Sequence, residues 1–405
     1  MRMAFLSIHS SPLGRAGEKD TGGMSTYLRG LSKALGQTGR QIDLFTRSRE
    51  LEGETVRHLG PNVRLICFDD GLGPLGKEEI YPHCRRIAQN IDRFRRQESI
   101  SYDLIFSHYW LSAWTGQLLK ENWQVSHLVM FHTVGQAKND YCPGENEPPL
   151  RLEKEAELAR ACDRVVVAAQ NEKENLLKYF NLPPGKITVI PGGVDRALFK
   201  PFGEKERLEA KKQIGAFEDE KIILAAGRIE PVKGYDLLLK AAALLPAEEN
   251  YRIFIIGGDR KDSLQVASLK ETAVSLGLAK RVCFTSALDH ARMPLFYNAA
   301  SVCVLPSFYE SFGLVALESL ACGTPLVASP VGVVPEILTG FKTGELNPLG
   351  FLVEKRLPEF WAAAIRKVLL GPGTIASDTV ESALGPYSWE KAAATLLRQV
   401  SEQTG

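Results

Sequence analysis

The sequence has almost no net charge, because 49 Lys and Arg residues against 48 Asp and Glu residues leave a formal charge of +1 at pH 7. A neutral chain has no overall field that attracts a nucleic-acid backbone, so we expect no nucleic-acid partner. Any anionic ligand must instead meet a local cluster of cationic side chains.

Long apolar runs and closely spaced cysteine pairs are also absent from the sequence. No apolar run approaches the roughly 18 residues that span a bilayer, and the run from Met3 to Ile8 is too short for a secretory leader. The seven cysteines are odd in number, include no C-x-x-C pair and in part lie in apolar runs, as Cys303 does. We therefore expect reduced, buried cysteines in a cytoplasmic protein, with neither a disulfide framework nor a zinc site.

What the sequence does contain is an alternation of short apolar runs with helix-length amphipathic segments. At about 150 residues per domain, 405 residues predict two or three domains. Continuous apolar runs separated by helices are typical of parallel sheets that are covered on both faces, so we predict an α/β fold with doubly wound domains. The predicted strands are residues 3–9, 41–47, 63–68, 103–108, 127–132, 165–169, 187–190, 222–226, 252–257, 282–285, 302–305 and 326–328.

The segment Pro191-Gly192-Gly193-Val194-Asp195 ends the first series of strands and is typical of an interdomain hinge. We predict an N-terminal domain at residues 1–197 and a C-terminal domain at 198–387. A last helix at 388–405, with Ser388 as its N-cap, is expected to pack back on the first domain. Ligands bind at the carboxyl ends of parallel strands, which predicts a site in the cleft between the domains.

Two glycine-rich segments are candidates for phosphate binding. Asp20-Thr21-Gly22-Gly23-Met24 precedes the first long helix, where free N–H groups favour an anion; the alternative is a plain glycine-rich entry to a helix. Gly71, Gly73 and Gly76 spell G-x-G-x-x-G, but they follow the third predicted strand and no acidic ribose-binding residue ends a following strand. We therefore reject a dinucleotide site there.

A pair of cations follows the first strand of the second domain, in Gly227-Arg228 and Lys233-Gly234. Arg228 offers a planar fork for phosphate oxygens and Lys233 a point charge, so together they could stabilise a departing diphosphate. No D-x-D pair occurs to hold a metal there. The alternative is two solvated side chains on a loop.

The segment from Glu310 to Glu318 is the most informative one. Ser311 is predicted to cap a helix, which would direct the amides of Phe312, Gly313 and Leu314 into the cleft. Glu318 lies inside an otherwise apolar helix and needs a partner, for which a ribose diol is suited; an exposed helix face is the alternative.

Two histidines, His108 and His132, end strands of the first domain, where either could face a ligand. A structural role inside the core is the alternative for both.

Together these motifs resemble the retaining nucleotide-sugar glycosyltransferases of family four, which have the GT-B fold: two Rossmann-like domains facing across a cleft. The resemblance implies catalytic roles for His132, Arg228, Lys233 and Glu310. It implies donor contacts from Gly22, Gly23, Arg228, Lys233, Leu288, Glu310, Phe312, Gly313, Leu314 and Glu318. Arg228 and Lys233 would bind the diphosphate and Glu318 the ribose, while backbone near Leu288 would hold a uracil and His132 would contact the donor sugar. No metal or other cofactor is implied.

Within that family, the segments Ser7–Pro12 and Asp20–Met24 resemble the inositol-phosphate glycosyltransferases of mycothiol synthesis, and also the sucrose-phosphate synthases. Both groups use phosphorylated acceptors. The resemblance implies an acceptor-phosphate pocket formed by Lys77, Tyr109, Thr133 and Arg151; for the two cations, plain surface charge is the alternative. Met24, Ser25 and Thr26 depart from the residues usual in those groups.

The sequence thus predicts a retaining, metal-independent transfer of a hexosyl or N-acetylhexosaminyl group from a UDP-sugar to a hydroxyl of a small phosphorylated polyol or sugar. Transfer to fructose 6-phosphate, as in sucrose-phosphate synthases, is one alternative. A nucleotide-sugar epimerase or hydrolase on the same fold is another, and a non-catalytic sensor is a third. The partners expected are the donor and a small-molecule acceptor, and a homodimer is left open.

Overall fold

The computed structural model describes residues 1–13, 22–48, 55–68, 71–73, 75–142, 144, 146–258, 264–338 and 347–404. The strands are β1 (Arg2–Leu6), β2 (Gln41–Arg47), β3 (Thr55–Gly60), β4 (Val63–Phe68), β5 (Leu104–His108), β6 (Ser126–Met130), β7 (Arg164–Val167), β8 (Ile187–Val189), β9 (Lys221–Ala226), β10 (Tyr251–Ile256), β11 (Val282–Thr285), β12 (Val302–Leu305), β13 (Leu326–Ala328) and β14 (Gly350–Leu352).

The helices connect these strands and cover both faces of the sheets. They are α1 (Gly23–Gln37), α2 (Lys77–Ile80), α3 (Cys84–Gln97), α4 (Trp110–Trp123), α5 (Gly135–Tyr141), α6 (Pro149–Ala161), α7 (Gln170–Phe180), α8 (Glu204–Gln213), α9 (Tyr235–Ala242), α10 (Leu264–Ser275), α11 (Met293–Ala299), α12 (Leu314–Ala321), α13 (Val334–Leu338), α14 (Pro358–Leu369), α15 (Ser377–Leu384) and α16 (Trp389–Thr404).

Within the described residues, the strands form two sheets. The first has the order β3-β4-β2-β1-β5-β6-β7-β8 and the second the order β11-β10-β9-β12-β13-β14. Every pairing is parallel except β3 with β4. The predicted α/β fold with two doubly wound domains is therefore confirmed. The sheets span residues 2–189 and 221–352, so the predicted division at 197/198 falls between them and stays a prediction.

Both faces of the central strands of the first sheet are buried, as the continuous apolar runs indicated. On β1, Met3 and Phe5 pack into one core cluster, whereas Ala4 and Leu6 pack into the cluster on the opposite face. The cluster on the Phe5 side also contains Leu224 and Leu305 of the second sheet, so the two domains share one apolar core. This shared core fixes the strand ends of both sheets next to each other.

The last helix, α16, packs against α1 of the first sheet. The Trp389 ring lies where a side chain on Gly30 would stand. Ser388 is the N-cap as predicted, because its Oγ accepts a hydrogen bond of 3.2 Å from the Lys391 amide. Glycine at position 30 therefore allows the chain end to dock on the first domain.

Two strands were missed in the sequence, for different reasons. β3 is an edge strand whose side chains are mostly exposed, so it depends on its antiparallel backbone pairing with β4 and has no apolar run. β14 is only three residues long. Among the described residues, no helix has both the length and the hydropathy needed to cross a membrane.

Candidate functional site

One cleft, with a volume of about 340 Å³, lies between the carboxyl ends of the two sheets. That volume lies within the range of small-ligand sites. Of the candidates, His108 does not line this cleft, whereas all residues to which the resemblance gave a role do: Gly22, Gly23, Lys77, Tyr109, His132, Thr133, Arg151, Arg228, Lys233, Leu288, Glu310, Phe312, Gly313, Leu314 and Glu318. Of the glycine-pair motif, Asp20 and Thr21 lie outside the described residues.

The first-domain wall of the cleft is organised around Tyr109, which directly follows β5. Two cations lie over its aromatic ring: the Arg151 guanidinium carbon is 5.0 Å and the Lys77 ammonium nitrogen 5.8 Å from the ring centroid. Thr133, which follows β6, lies beside Arg151. A wall with two cations and two hydroxyl groups is chemically suited to an anion such as a phosphomonoester.

Arg151 is only 4% exposed, so the alternative of a surface charge is wrong for this residue. Its Nε donates to Glu155 at 2.7 Å and its Nη1 to Glu147 at 2.7 Å, while Nη2 donates to the carbonyl and hydroxyl oxygens of Thr133 at 2.8 and 3.0 Å. Burial alone would lower the pKa of the guanidinium, but Glu155 and Glu147 raise it above its usual range. The cation is thus permanent and held rigidly in place.

The second-domain wall carries Arg228 and Lys233 on the loop after β9, and each is paired with a glutamate. Arg228 Nη1 lies 2.8 Å from Glu230, and Lys233 Nζ lies 2.6 Å from Oε1 of Glu310. The same Glu310 oxygen accepts a hydrogen bond of 2.8 Å from Ser307. An ammonium group has three donors, so Lys233 can bind Glu310 and a ligand anion together.

The turn before α12 differs from the prediction that Ser311 is the N-cap. The helix begins at Leu314 and is preceded by Gly313, whose φ of +92° lies in the left-handed region that glycine adopts readily. Phe312 is therefore outside the helix, and its carbonyl accepts a hydrogen bond of 2.7 Å from Val333. Ser311, Phe312, Gly313 and Leu314 still line the cleft.

Glu318 lies about one turn inside α12 and is 7% exposed, so an exposed helix face is excluded. Its Oε1 is 2.7 Å from Nε2 of His290, and its Oε2 accepts a hydrogen bond of 2.8 Å from the Tyr297 hydroxyl. Burial alone would lower the pKa of His290, but its bond to Glu318 raises it. A carboxylate has about four acceptor positions, so two remain for a diol.

Sequence reasoning missed His290 and Tyr297. In the sequence both residues lie between two predicted strands of the second domain. That position does not predict that both bind the carboxylate of Glu318. Phe199, which follows the hinge, packs on the His290 ring with centroids 5.0 Å apart.

His132 does not end a strand as predicted but lies two residues after β6 on the first-domain wall, with a φ of +60° that is strained for a residue other than glycine. Its Nε2 is 2.8 Å from Nδ1 of His108, the last residue of β5. Burial lowers the pKa of His132 to about 3, and burial together with His132 lowers that of His108 well below its usual value. Both rings are therefore neutral near pH 7, and His108 lies behind the cleft wall.

The two walls approach closely. A Cβ on Gly22 would lie 3.9 Å from Nε of Arg228, and one on Gly23 would lie 3.8 Å from Leu314. The Tyr309 hydroxyl accepts a hydrogen bond of 3.3 Å from the Val134 amide across the cleft. Searching the described part of the chain for three or more clustered His, Cys, Asp or Glu side chains that could hold a metal ion finds none.

Comparison with known proteins agrees with this geometry. Residues 21–198 match the model of Glycosyltransferase Family 4, and residues 206–383 match that of Glycosyl transferases group 1. The two matched segments correspond to the two walls of the cleft.

Curated relatives match nearly the whole chain. The D-inositol 3-phosphate glycosyltransferase of Corynebacterium efficiens is 33% identical over 100% of this chain and 96% of its own length. That of Mycobacteroides abscessus is 35% identical over 98% of this chain and 88% of its own length.

A solved structure with the same architecture is the sucrose-phosphate synthase of Thermosynechococcus elongatus. It has a TM-score of 0.87 and 28% identity, and the match covers 100% of this chain and 98% of that one. The chain therefore belongs to the group 1, family 4 glycosyltransferases, and it is a glycosyltransferase with the GT-B fold.

Proposed function

We propose that this glycosyltransferase moves a hexosyl or N-acetylhexosaminyl group from a UDP-sugar to a hydroxyl of a small phosphorylated polyol, with retention of configuration and without a metal. The observation that carries the proposal is the presence of two separate cation pairs on opposite walls of one cleft. Lys77 and Arg151 lie on the first wall, and Arg228 and Lys233 on the second. One anion site suits the acceptor phosphate, and the other suits the diphosphate of the donor.

The relatives support the choice of acceptor. The names of the Corynebacterium and Mycobacteroides enzymes give inositol 3-phosphate as their acceptor, and each relative spans nearly the whole of this chain. A sugar phosphate, as for sucrose-phosphate synthase, is the second candidate, favoured by the TM-score of 0.87 with that enzyme.

In the proposed reaction, Arg228 and Lys233 stabilise the negative charge that develops on the diphosphate as the bond to the sugar breaks. Glu318, held by His290 and Tyr297, accepts hydrogen bonds from the ribose, and Glu310 lies beside the transferred sugar. The acceptor hydroxyl attacks from the face that the diphosphate leaves, and a phosphate oxygen takes its proton. Closure of the cleft excludes water, which would otherwise hydrolyse the donor.

A product analysis tests the proposal. UDP-glucose and UDP-N-acetylglucosamine are each incubated with inositol 3-phosphate, fructose 6-phosphate, unphosphorylated inositol or no acceptor, with and without EDTA. We expect a product of α-configuration by NMR, the highest rate with inositol 3-phosphate, and no effect of EDTA. Consumption of the donor at the same rate without an acceptor would indicate an epimerase or hydrolase instead, and no turnover with any pair would indicate a sensor.

A matched pair of variants tests which wall binds which substrate. Lys77→Gln is expected to raise the KM for the phosphorylated acceptor about tenfold and to leave the KM for the donor unchanged, because a charged hydrogen bond contributes roughly 1.5–3 kcal/mol. Lys233→Gln is expected to lower kcat about tenfold or more, because the ammonium group of Lys233 acts on the leaving group. Equal changes of both KM values in Lys77→Gln would contradict the assignment of the walls.

A further inference from the structure

We infer that His108, which lies behind the cleft wall, is a positioning residue that fixes the tautomer of His132. In this arrangement His108 donates from Nδ1 to Nε2 of His132, so His132 carries its own proton on Nδ1 and offers an N–H donor to the cleft. The expected effect on glycosyl transfer rests on the proposed function, whereas the tautomer of His132 does not.

The contact between the two rings is a hydrogen bond of 2.8 Å between His108 Nδ1 and His132 Nε2. The rings are stacked, with centroids 5.1 Å apart and planes 29° apart. His108 is fully buried, and His132 is 9% exposed at the cleft. Two neutral imidazoles share this bond, so only one of the two nitrogens carries a proton.

The environment of the other ring nitrogen of His108, Nε2, indicates whether His108 or His132 donates this hydrogen bond. His108 Nε2 is buried and has no hydrogen-bond partner, and the ring of Phe106 packs on the His108 ring with centroids 4.3 Å apart. If His132 were the donor, the proton of neutral His108 would be on this Nε2, and a buried N–H would have no acceptor. Orphaned buried N–H groups are rarer than buried acceptors without a donor, so the geometry favours His108 as the donor.

This assignment restricts what His132 can do. With Nε2 occupied by His108 and a proton on Nδ1, the ring presents a hydrogen-bond donor to a ligand and has no free lone pair to accept a proton. His132 therefore orients an oxygen of the transferred sugar and does not act as a general base on the acceptor hydroxyl. The strained backbone of His132, with φ of +60°, is consistent with a ring held in one orientation.

The direct test is a measurement of the tautomer in the wild-type protein. Long-range proton–nitrogen correlation spectra of protein with ¹⁵N-labelled histidine distinguish protonated from bare ring nitrogens. Loss of the signals in His132→Gln and His108→Asn assigns the two rings. We expect a protonated Nδ1 on both residues; a proton on Nε2 of His132 would overturn the inference. Because this test needs no substrate, its result is independent of whether transfer is observed.

Three variants test the consequence for catalysis. His108→Leu removes the donor, and we expect kcat to fall about tenfold with the acceptor KM unchanged, because a buried group that loses its partner costs about 1–3 kcal/mol. His108→Asn keeps an N–H close to the position of Nδ1 and is expected to restore most of kcat.

The matched control is His127→Leu. His127 is also fully buried, bonds to Ser107 Oγ at 2.8 Å through one nitrogen and has no partner for the other, but it is not on the cleft wall. We expect it to lower Tm and to leave kcat unchanged. Equal kcat values for His108→Leu and His127→Leu, or no recovery in His108→Asn, would show that His108 is merely structural. If His108→Leu does not fold, the spectra of the wild-type protein still distinguish the two tautomers of His132.

Discussion

The two walls of the cleft hold their cations differently. On the first wall, Arg151 is 4% exposed and fixed by two carboxylates and both oxygens of Thr133. On the second wall, the side chains of Arg228 and Lys233 are 31% and 15% exposed, and each has one glutamate partner. Arg151 on the first wall is held rigidly by four hydrogen bonds, whereas the cations of the second wall retain more donors for a ligand.

The two walls differ in whether the cation is desolvated and oriented during folding or only when an anion binds. Arg151 is desolvated during folding and already oriented, so an anion that binds there reorganises nothing. Arg228 is still partly hydrated and shared with Glu230, so its full charge becomes available only when a ligand displaces water or the glutamate. We therefore expect substitutions at Arg151 on the first wall to lower the unfolding free energy, and substitutions around Arg228 on the second wall to change ligand affinity.

The largest effect is expected from Arg151→Met. It leaves the carboxylate of Glu155, whose side chain is 1% exposed, without its partner, and breaking such a buried pair costs about 3–5 kcal/mol of unfolding free energy. Urea denaturation measures this loss. The control is Arg151→Met combined with Glu155→Gln, which keeps an acceptor for the Gly135 amide and should recover much of the stability. A loss of less than about 1 kcal/mol in Arg151→Met would mean that the first wall is no more rigid than the second.

An intermediate effect is expected from Glu318→Gln. Because the folded pKa of His290 is raised, the His290–Glu318 pair stabilises the protein fully below the ordinary histidine pKa of about 6.5, and this stabilisation is lost as the pH rises through the folded value. In Glu318→Gln, an NMR titration should show a lower His290 pKa, and the unfolding free energy should lose this pH dependence. Arg29, which lowers the His290 pKa, and Asp195, which raises it, remain in both proteins.

Glu318→Gln is also expected to weaken UDP binding about tenfold, because the ribose loses a charged acceptor. Tyr297→Phe is the matched control, since it removes the other hydrogen bond to the same carboxylate without changing its charge. A titration of His290 identical in the wild type and Glu318→Gln would contradict the pairing.

The smallest effect is expected from Glu230→Gln on the second wall. Both members of the Arg228–Glu230 pair are about one-third exposed, and such pairs contribute at most about 1 kcal/mol. We expect no measurable change in Tm and an affinity for UDP that is equal or a few-fold higher, measured by calorimetry, because Arg228 no longer has a competing partner. Destabilisation as large as in Arg151→Met would remove the distinction between the walls.

Much of the fold could be predicted from the sequence because its strands are buried on both faces. β2, β4, β11, β12 and β13 begin and end at the predicted residues. The exposed edge strand β3 has no such signal, since backbone pairing stabilises it more than side-chain burial does. The start of α12 was misplaced because Gly313 has a positive φ and the Phe312 carbonyl before it is bound by the amide of Val333, a residue distant in the sequence.

The residues of the predicted motifs lie together in the cleft, as expected, but the sequence did not reveal their hydrogen-bond and ion-pair partners. Nothing local in the sequence places Glu147 and Glu155 around Arg151, or His290 and Tyr297 around Glu318, because those pairs form only when separate loops meet at the strand ends. The hydrogen bond between His108 and His132 has the same origin, since it joins the ends of two adjacent strands.

The docking of α16 on α1 has a consequence for synthesis of the chain. The groove at Gly30 is filled by Trp389, which leaves the ribosome almost a full chain length later. During translation the first domain therefore exposes an apolar groove on α1, and the second domain is complete before that groove is closed. Completion of the first domain therefore requires that the second domain has already been synthesised.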